Sequence, residues 1–324
     1  GWAAPVAAWE QGLLAARCAD YSPQRLDELF LSGFLTWTRP GNGSHTQLVS
    51  ATPVTIMPRS NAKLWFEGVN PDDQAAGSLA QRILGVLEQK GAMFASDLAD
   101  TSGLMPTQLE QGLSELVARG LVTADAFSPL RWLVRPESEK RRKQARLKRG
   151  GRAQGATMLG RWSIAPRHQG ESEEAVFADQ ARLAAVCEAL LLRYGVVFRA
   201  VIERESLAPP WRYLLRYLRR MEDRGEVNGG RFVDGFSGEQ FALPEAVGLL
   251  RRQTEEPRER NLAVISAADP LNLGGIITPG VKTPMRAGNR VLLLNGVPAA
   301  RILGDEIEML GGAGTVSAAE AEQQ

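Results

Sequence analysis

The sequence predicts an α+β chain in which small helix–sheet modules stand in tandem and a compact all-β unit follows them. Three observations carry this. The stretches Glu28–Thr36, Glu115–Thr123 and Arg220–Asn228 each close an amphipathic helix, pass through a glycine (Gly33, Gly120, Gly225) and open a short strand. An earlier helical stretch precedes each of them: Ala7–Cys18, Leu79–Gln89 and Arg182–Tyr194. Between residues 260 and 311 the chain then breaks into short apolar runs separated by Gly, Pro and Asn. A helix that ends on glycine and turns into a strand and a polar return is the passage into the wing of a winged helix. The expected fold is therefore tandem winged-helix domains followed by a small C-terminal β-barrel.

The elements follow in chain order. Glycine accepts the left-handed conformation that ends a helix, having no side chain to clash. In the first unit, residues 1–74, Leu26, Leu29 and Phe30 form the stripe before Gly33, and a long wing runs through Pro40–Ser44 and Val54–Met57. Pro71–Asp73 reads as a linker. In the second unit, 75–136, the stripe is Leu109, Leu113, Leu116 and Val117, with strands expected at Leu121–Thr123 and Arg131–Val134. Residues 137–159 carry eight Lys or Arg between Lys140 and Arg152 with few apolar residues, and read as a basic linker that begins as a short helix. The third unit, 160–250, has the stripe Trp211, Leu214, Leu215, Leu218 and Met221, then Arg231–Val233, a turn through Asp234–Gly238, and Gln240–Leu243. In the all-β unit, 260–311, Asn295-Gly296 between two apolar runs predicts a hairpin, because both residues accept positive φ. The Ala-, Glu- and Gln-rich tail, 312–324, reads as disordered.

The totals set limits. A chain of 324 residues exceeds one ordinary domain, and a hydrophobic fraction of 44% suits a folded protein. No apolar run approaches the roughly 20 residues that span a bilayer, and the N-terminus lacks the basic and apolar regions of a signal peptide, so a cytoplasmic chain is expected. It lacks an initiator Met, as a piece cut from a longer protein would. Cys18 and Cys187 stand alone on apolar helix faces and read as buried thiols. The net charge is +1, so any nucleic-acid surface must come from local clustering.

That clustering is strongest on the third final helix. Arg212, Arg216, Arg219 and Arg220 share the face opposite its apolar stripe and are spaced to meet adjacent phosphates. The equivalent face of the second helix is Thr107, Gln108, Gln111, Ser114 and Glu115, and that of the first is mixed. Arg231 adds charge beside the third wing. The basic segment, with Lys140, Arg141, Arg142 and Lys143, offers a weaker, sequence-blind attraction. Trp162 is a candidate for stacking on a base, against the alternative of packing inside its own module.

Catalytic motifs are sparse. No Gly-x-x-x-x-Gly-Lys-Ser/Thr loop exists to cradle a nucleoside triphosphate. His45 and His168 are far apart and without ligand-spaced neighbours, so no metal site is expected. Base excision would require a carboxylate, and the candidates are Asp234 and Glu239, which flank the third wing tip, and Asp269 before Pro270. Each has a plainer duty in turn geometry.

The stretches Gly230–Val247, Ser266–Leu273 and Gly288–Leu294, with Asp20–Asp27 and Gly33–Trp37, resemble the C-terminal region of bacterial large helicase-related (Lhr) proteins. The resemblance covers nearly the whole chain. It implies a parent that is a superfamily-2, ATP- and Mg2+-dependent 3′-to-5′ DNA helicase with a role in repair, and a fragment that needs no cofactor itself. It implies DNA as partner, single-stranded or as a tailed duplex, with RNA as the second candidate. It also implies self-assembly into a homo-oligomer, for which Trp37 and Trp65 would be exposed apolar contacts. The family region is similar in architecture to tandem winged-helix DNA glycosylases, and some relatives are associated with uracil excision. Those glycosylases use a Gln-x-Gln or Gln-x-Asp triplet that this chain lacks. The expected function is a nucleic-acid-binding and assembly region of a repair helicase. The alternatives are a metal-independent glycosylase and a purely structural oligomerisation platform.

Overall fold

A computed structural model describes residues 1–40, 47–65, 76–149, 158–166, 179–255 and 260–310. The contacts divide it into two compact units. The first holds Gly1, Ala3–Glu10 and the described residues of Cys18–Glu171; the second holds Trp2, Gln11–Arg17 and the described residues of Ser172–Gln324. His45, His168, the Pro71–Asp73 linker, the glycine-rich end of the basic segment and the tail fall outside the described residues. Among the described residues, no helix is long and apolar enough to cross a membrane.

The first unit contains two helix–wing modules. In the first, strand β1 (Ala3–Pro5) is followed by a helical segment over 6–17, here α1, with a π-helical turn at Trp9–Leu14. Helix α2 (Pro23–Leu31), capped by the Ser22 hydroxyl, leads through Gly33 into β2 (Leu35–Thr38), and β3 (Pro53–Pro58) returns between β1 and β2. A short helix, α3 (Ala62–Trp65), follows. The second module runs α4 (Ser78–Lys90), β4 (Met93–Phe94), α5 (Ala95–Ser102), α6 (Pro106–Ala118), β5 (Val122–Ala124), α7 (Ser128–Leu133) and α8 (Glu137–Arg149). Its sheet closes with β6 (Arg161–Ile164), which pairs antiparallel with both β4 and β5. Residues 161–164 thus complete the second wing, although the sequence reading assigned them to the third unit.

The two modules are locked together. Trp37 on β2 and Trp162 on β6 are both fully buried and meet edge to face at 6.4 Å. Trp37 Nε1 donates to the Ala126 carbonyl at 2.9 Å, and Thr123 Oγ1 donates to the Trp37 carbonyl at 2.6 Å. Asp27 accepts the amide protons of Phe127 and Ser128 at 2.8 and 2.9 Å, and Arg131 bridges Asp27 and Glu10 at 2.6 Å each.

Several expectations are corrected here. Arg131–Val134 is not a strand; Ser128–Leu133 is helical, because Pro129 sits in the first turn and Asp27 supplies the cap that Phe127 cannot. The basic segment is helical for thirteen residues rather than a linker, with Glu137 and Glu139 at the positive end of the helix dipole and the cations behind them. Trp37 and Trp65 are core residues, 0% and 2% exposed, so neither is an apolar surface contact. Cys18 lies past the end of α1 in a turn and is exposed, whereas Cys187 is buried and its thiol pushed up to about 12 by desolvation.

The second unit starts from α9 (Gln180–Tyr194), β7 (Val196–Val197) and α10 (Arg199–Ile202). Helix α11 (Trp211–Asp223) leads through Gly225 into β8 (Asn228–Gly230), and β9 (Gln240–Ala242) returns between β7 and β8. Leu183, Val186, Cys187 and Leu190 of α9 and Leu214 and Leu218 of α11 form the core of this module. After α12 (Pro244–Glu255), strands β10 (Leu262–Ser266), β11 (Arg290–Leu294), β12 (Val297–Leu303) and β13 (Glu306–Met309) form an antiparallel meander.

The hairpin at Asn295-Gly296 is present, with φ of 49° and 81° and Leu294 opposite Val297. The barrel is not. The sheet is open, since β10 and β13 each pair on one side only. The fifth expected strand, Gly275–Ile277, is part of a loop that touches itself through one Gly274–Thr278 bridge. Gly275 and Gly280 take positive φ there, and Pro279 and Pro284 have no amide proton to extend a ladder.

All three helix-ending glycines are left-handed, with φ of 78°, 74° and 73° at Gly33, Gly120 and Gly225. After the second and third, the amides of Leu121 and Glu226 reach back to the carbonyls of Leu116 and Met221 at 2.9 Å, closing the helix end. A Cβ on Gly225 would meet nothing within 4 Å, so its replacement tests backbone conformation alone. Gly225→Ala should lower stability by about 1–2 kcal/mol in urea denaturation, and Gly225→Asn, which tolerates this conformation better, by less. Equal midpoints for all three proteins would show that the left-handed turn does not constrain the fold.

Candidate nucleic-acid interface

Helix α11 begins after Pro210, whose carbonyl receives the Tyr213 amide. Its apolar positions recur at helical spacing: Leu214 and Leu218 are fully buried, and Trp211, Leu215 and Met221 are half-buried. That stripe fixes the rotation of the helix and leaves Arg212, Arg216, Arg219 and Arg220 exposed on the other side.

The four arginines have different surroundings. Arg212 lies over the Tyr213 ring at 4.7 Å, and Arg220 over the Tyr217 ring at 5.2 Å while also bonded to the Gln180 side chain. Arg216 has no hydrogen-bond or ion-pair partner among the described residues. Arg219 forms a forked pair with Glu239 through bonds of 2.7, 3.0 and 3.1 Å, and these bonds raise its pKa above the usual guanidinium value. Three of the four therefore keep an uncompensated positive charge.

The wing that follows is organised by a residue the sequence reading did not single out. Gln240 is fully buried; its Oε1 accepts the amides of Phe232 and Val233 at 2.8 Å, and its Nε2 donates to the Val233 carbonyl at 2.8 Å. Phe236 anchors the tip against Phe198 at 4.9 Å. A glutamine is the one uncharged side chain long enough to satisfy a turn in this way, but composition and periodicity carry no sign of it. Arg231 and Asp234 are exposed on this wing, and Glu239 is held by Arg219.

Asp269 belongs to a different element, the turn after β10. It is 1% exposed; Arg17 forms a forked pair with it, and it accepts the Leu271 amide at 2.8 Å. The three carboxylate candidates are thus an exposed Asp234, a surface-paired Glu239 and a buried, paired Asp269, and no group of three or more metal-ligating side chains occurs among the described residues.

In the first unit, Arg141, Arg142 and Lys143 are exposed on α8. Desolvation, with Arg135 and Arg131 nearby, lowers the Lys143 pKa. Lys140 is buried between Glu137 at 2.8 Å and Glu110 at 3.6 Å, so it anchors the helix instead of facing a phosphate. Trp162 offers no face to a base, since its indole is wholly enclosed in the first unit's core.

Comparison with known proteins agrees with this architecture. Residues 1–59 and 177–262 each match a winged-helix domain of large helicase-related protein. The Lhr helicase/uracil glycosylase of Escherichia coli (strain K12) is 29% identical over 322 residues, covering 90% of this chain and 20% of that protein. The Lhr helicase/probable uracil glycosylase of Mycolicibacterium smegmatis is 29% identical over 293 residues, covering 83% of this chain and 18% of that protein. The chain thus spans a small part of the length of these relatives, and within it lie two winged-helix domains of the large helicase-related family.

Proposed function

We propose that this chain is a DNA-binding region of an ATP-dependent repair helicase, and that it docks through α11 and the β8–β9 wing. The observation that supports this best is the arginine face of α11. A row of exposed guanidiniums, three of them with neutral neighbours or none, lies opposite a buried apolar stripe that holds the helix still. Such a face neutralises phosphates without reading sequence, which suits a region that must follow a strand wherever a motor takes it. ATP and Mg2+ would serve the parent's motor, and this chain would bind DNA without a cofactor.

A second reading is base excision, supported by the uracil glycosylase in the relatives' names. Of the candidate carboxylates, Asp234 is the accessible one, on a wing tip next to the arginine face. Asp269 is better suited to holding the second unit together.

The binding reading predicts that Arg212, Arg216 and Arg220 changed together to Ala weaken DNA affinity and reduce the slope of log K against log salt by about 2–3. Glu239→Ala, which releases Arg219, should strengthen binding. Filter retention or fluorescence anisotropy across a salt series measures both, and unaltered affinity in the triple variant would take α11 out of the interface. The excision reading predicts alkali-sensitive sites in uracil-containing strands that disappear in Asp234→Ala. Asp269→Ala should instead destabilise the chain by about 2 kcal/mol, having lost a buried ion-pair partner. A fully active Asp234→Ala protein would exclude this residue.

A further inference from the structure

The second unit contains a cavity of about 310 Å³ between the 274–281 loop and the start of β12, separate from the arginine face. Its size is at the small end of sites for compact ligands. No charged side chain lines it. Val291, Val297 and Pro298 give it apolar walls, and Asn272 and Thr278 bring polar atoms to it.

Those polar atoms lack partners. Asn272 is 6% exposed, and its Nδ2 donates to the Ala267 carbonyl at 2.9 Å. A carbonyl only accepts, so this bond fixes the amide orientation and turns Oδ1 the other way. Asn272 Oδ1 and Thr278 Oγ1 are both buried without a hydrogen-bond partner. Buried acceptors are nearly always satisfied in folded proteins, so two beside one cavity call for a donor from outside.

The loop is already set in place. Arg204 donates to the carbonyls of Pro270 and Asn272, each at 3.0 Å. A Cβ on Gly275 would collide with the backbone at Gly280 and Lys282, both at 2.8 Å, so the loop closes tightly on itself. A Cβ on Gly274 would sit 3.6 Å from both Asn272 Oδ1 and Pro298, which places that oxygen at the cavity wall. A site organised before its ligand arrives loses little affinity to ordering.

We infer that this cavity binds a single neutral nucleobase of the lactam type. A charged ligand would enter without compensation. A lactam ring presents an N–H beside a C=O, which matches an amide oxygen that only accepts and a hydroxyl that also donates, and its flat faces fit between valine and proline. The source would be a base turned out of a bound strand, and in this respect the inference rests on the DNA-binding reading above.

The test is methyl NMR of the whole chain, with Val291 and Val297 as reporters, titrated with free uracil, thymine and adenine at millimolar concentrations. Uracil and thymine should shift both valines and adenine should shift them less. Thr278→Val, which keeps the shape and removes the hydroxyl, should weaken lactam binding about tenfold. Gly274→Ala, whose added methyl makes ordinary contact at the wall, should reduce binding with the thermal melt unchanged. Valine signals that ignore all three bases would mean the cavity holds water only and would overturn the inference. DNA affinity measured on the same samples separates the two proposals: retention of DNA with silent valines rejects the pocket alone, and shifting valines without DNA affinity rejects the binding reading alone.

Discussion

The left-handed residue at the end of each final helix is the constraint on which the rest of the fold depends. At Gly33, Gly120 and Gly225 the backbone reverses at φ near 75°, so the strand that follows leaves in a fixed direction relative to the helix. Once that direction is set, the return strand must lie between the outgoing strand and the short strand near the earlier helix. All three modules show this order: β1-β3-β2, β4-β6-β5 and β7-β9-β8. A residue with a Cβ would open the turn and lose the backbone bonds that close the helix end.

The same local device leads to different outcomes because the polar face of each final helix meets different neighbours. On α2, Asp27 is committed to capping α7 and pairing with Arg131. On α6, Glu110 accepts from the Trp132 indole and Lys140, Ser114 accepts the Leu48 amide, and Glu115 takes the Gly77 amide and Arg119. Those polar groups hold the first unit together. On α11 the arginines have exposed surroundings, so this helix is the one with charge to offer another molecule.

What could be read from the sequence was what local chemistry decides. The α11 stripe needs only helical spacing, and the Asn295-Gly296 hairpin needs only two residues that accept positive φ. The misreadings share a cause, which is contact between residues far apart in the chain. Arg131–Val134 has the composition of a strand, but it becomes helical because Asp27, about a hundred positions earlier, caps it. Trp37 and Trp65 suggest surface contacts until the partner module covers Trp37 and the first module's own core encloses Trp65. Gln240 shapes the third wing through three bonds to neighbouring backbone, a role any polar residue in a turn could hold. The open sheet after α12 follows from how tightly the Gly275 loop folds back, which depends on backbone contacts at Gly280 and Lys282.

The near-neutral net charge of +1 does not weigh against the α11 face. Exposed charges are screened within about 8–10 Å at physiological salt, so a strand feels the charges under it and not the sum over the chain. What decides is whether the arginines are cancelled locally. Arg212 and Arg220 are braced by tyrosine rings, with Gln180 also bonded to Arg220, and these neutral partners orient a guanidinium without compensating it. Only Arg219 is matched by a carboxylate, and that pair is exposed on both sides. Exposed pairs contribute little to folding, so Glu239 is more consequential as a rival to phosphate than as a brace for the wing. The face is therefore held in shape by aromatic and amide contacts while most of its charge stays available, and Glu239 tempers how strongly the wing side of α11 attracts a strand.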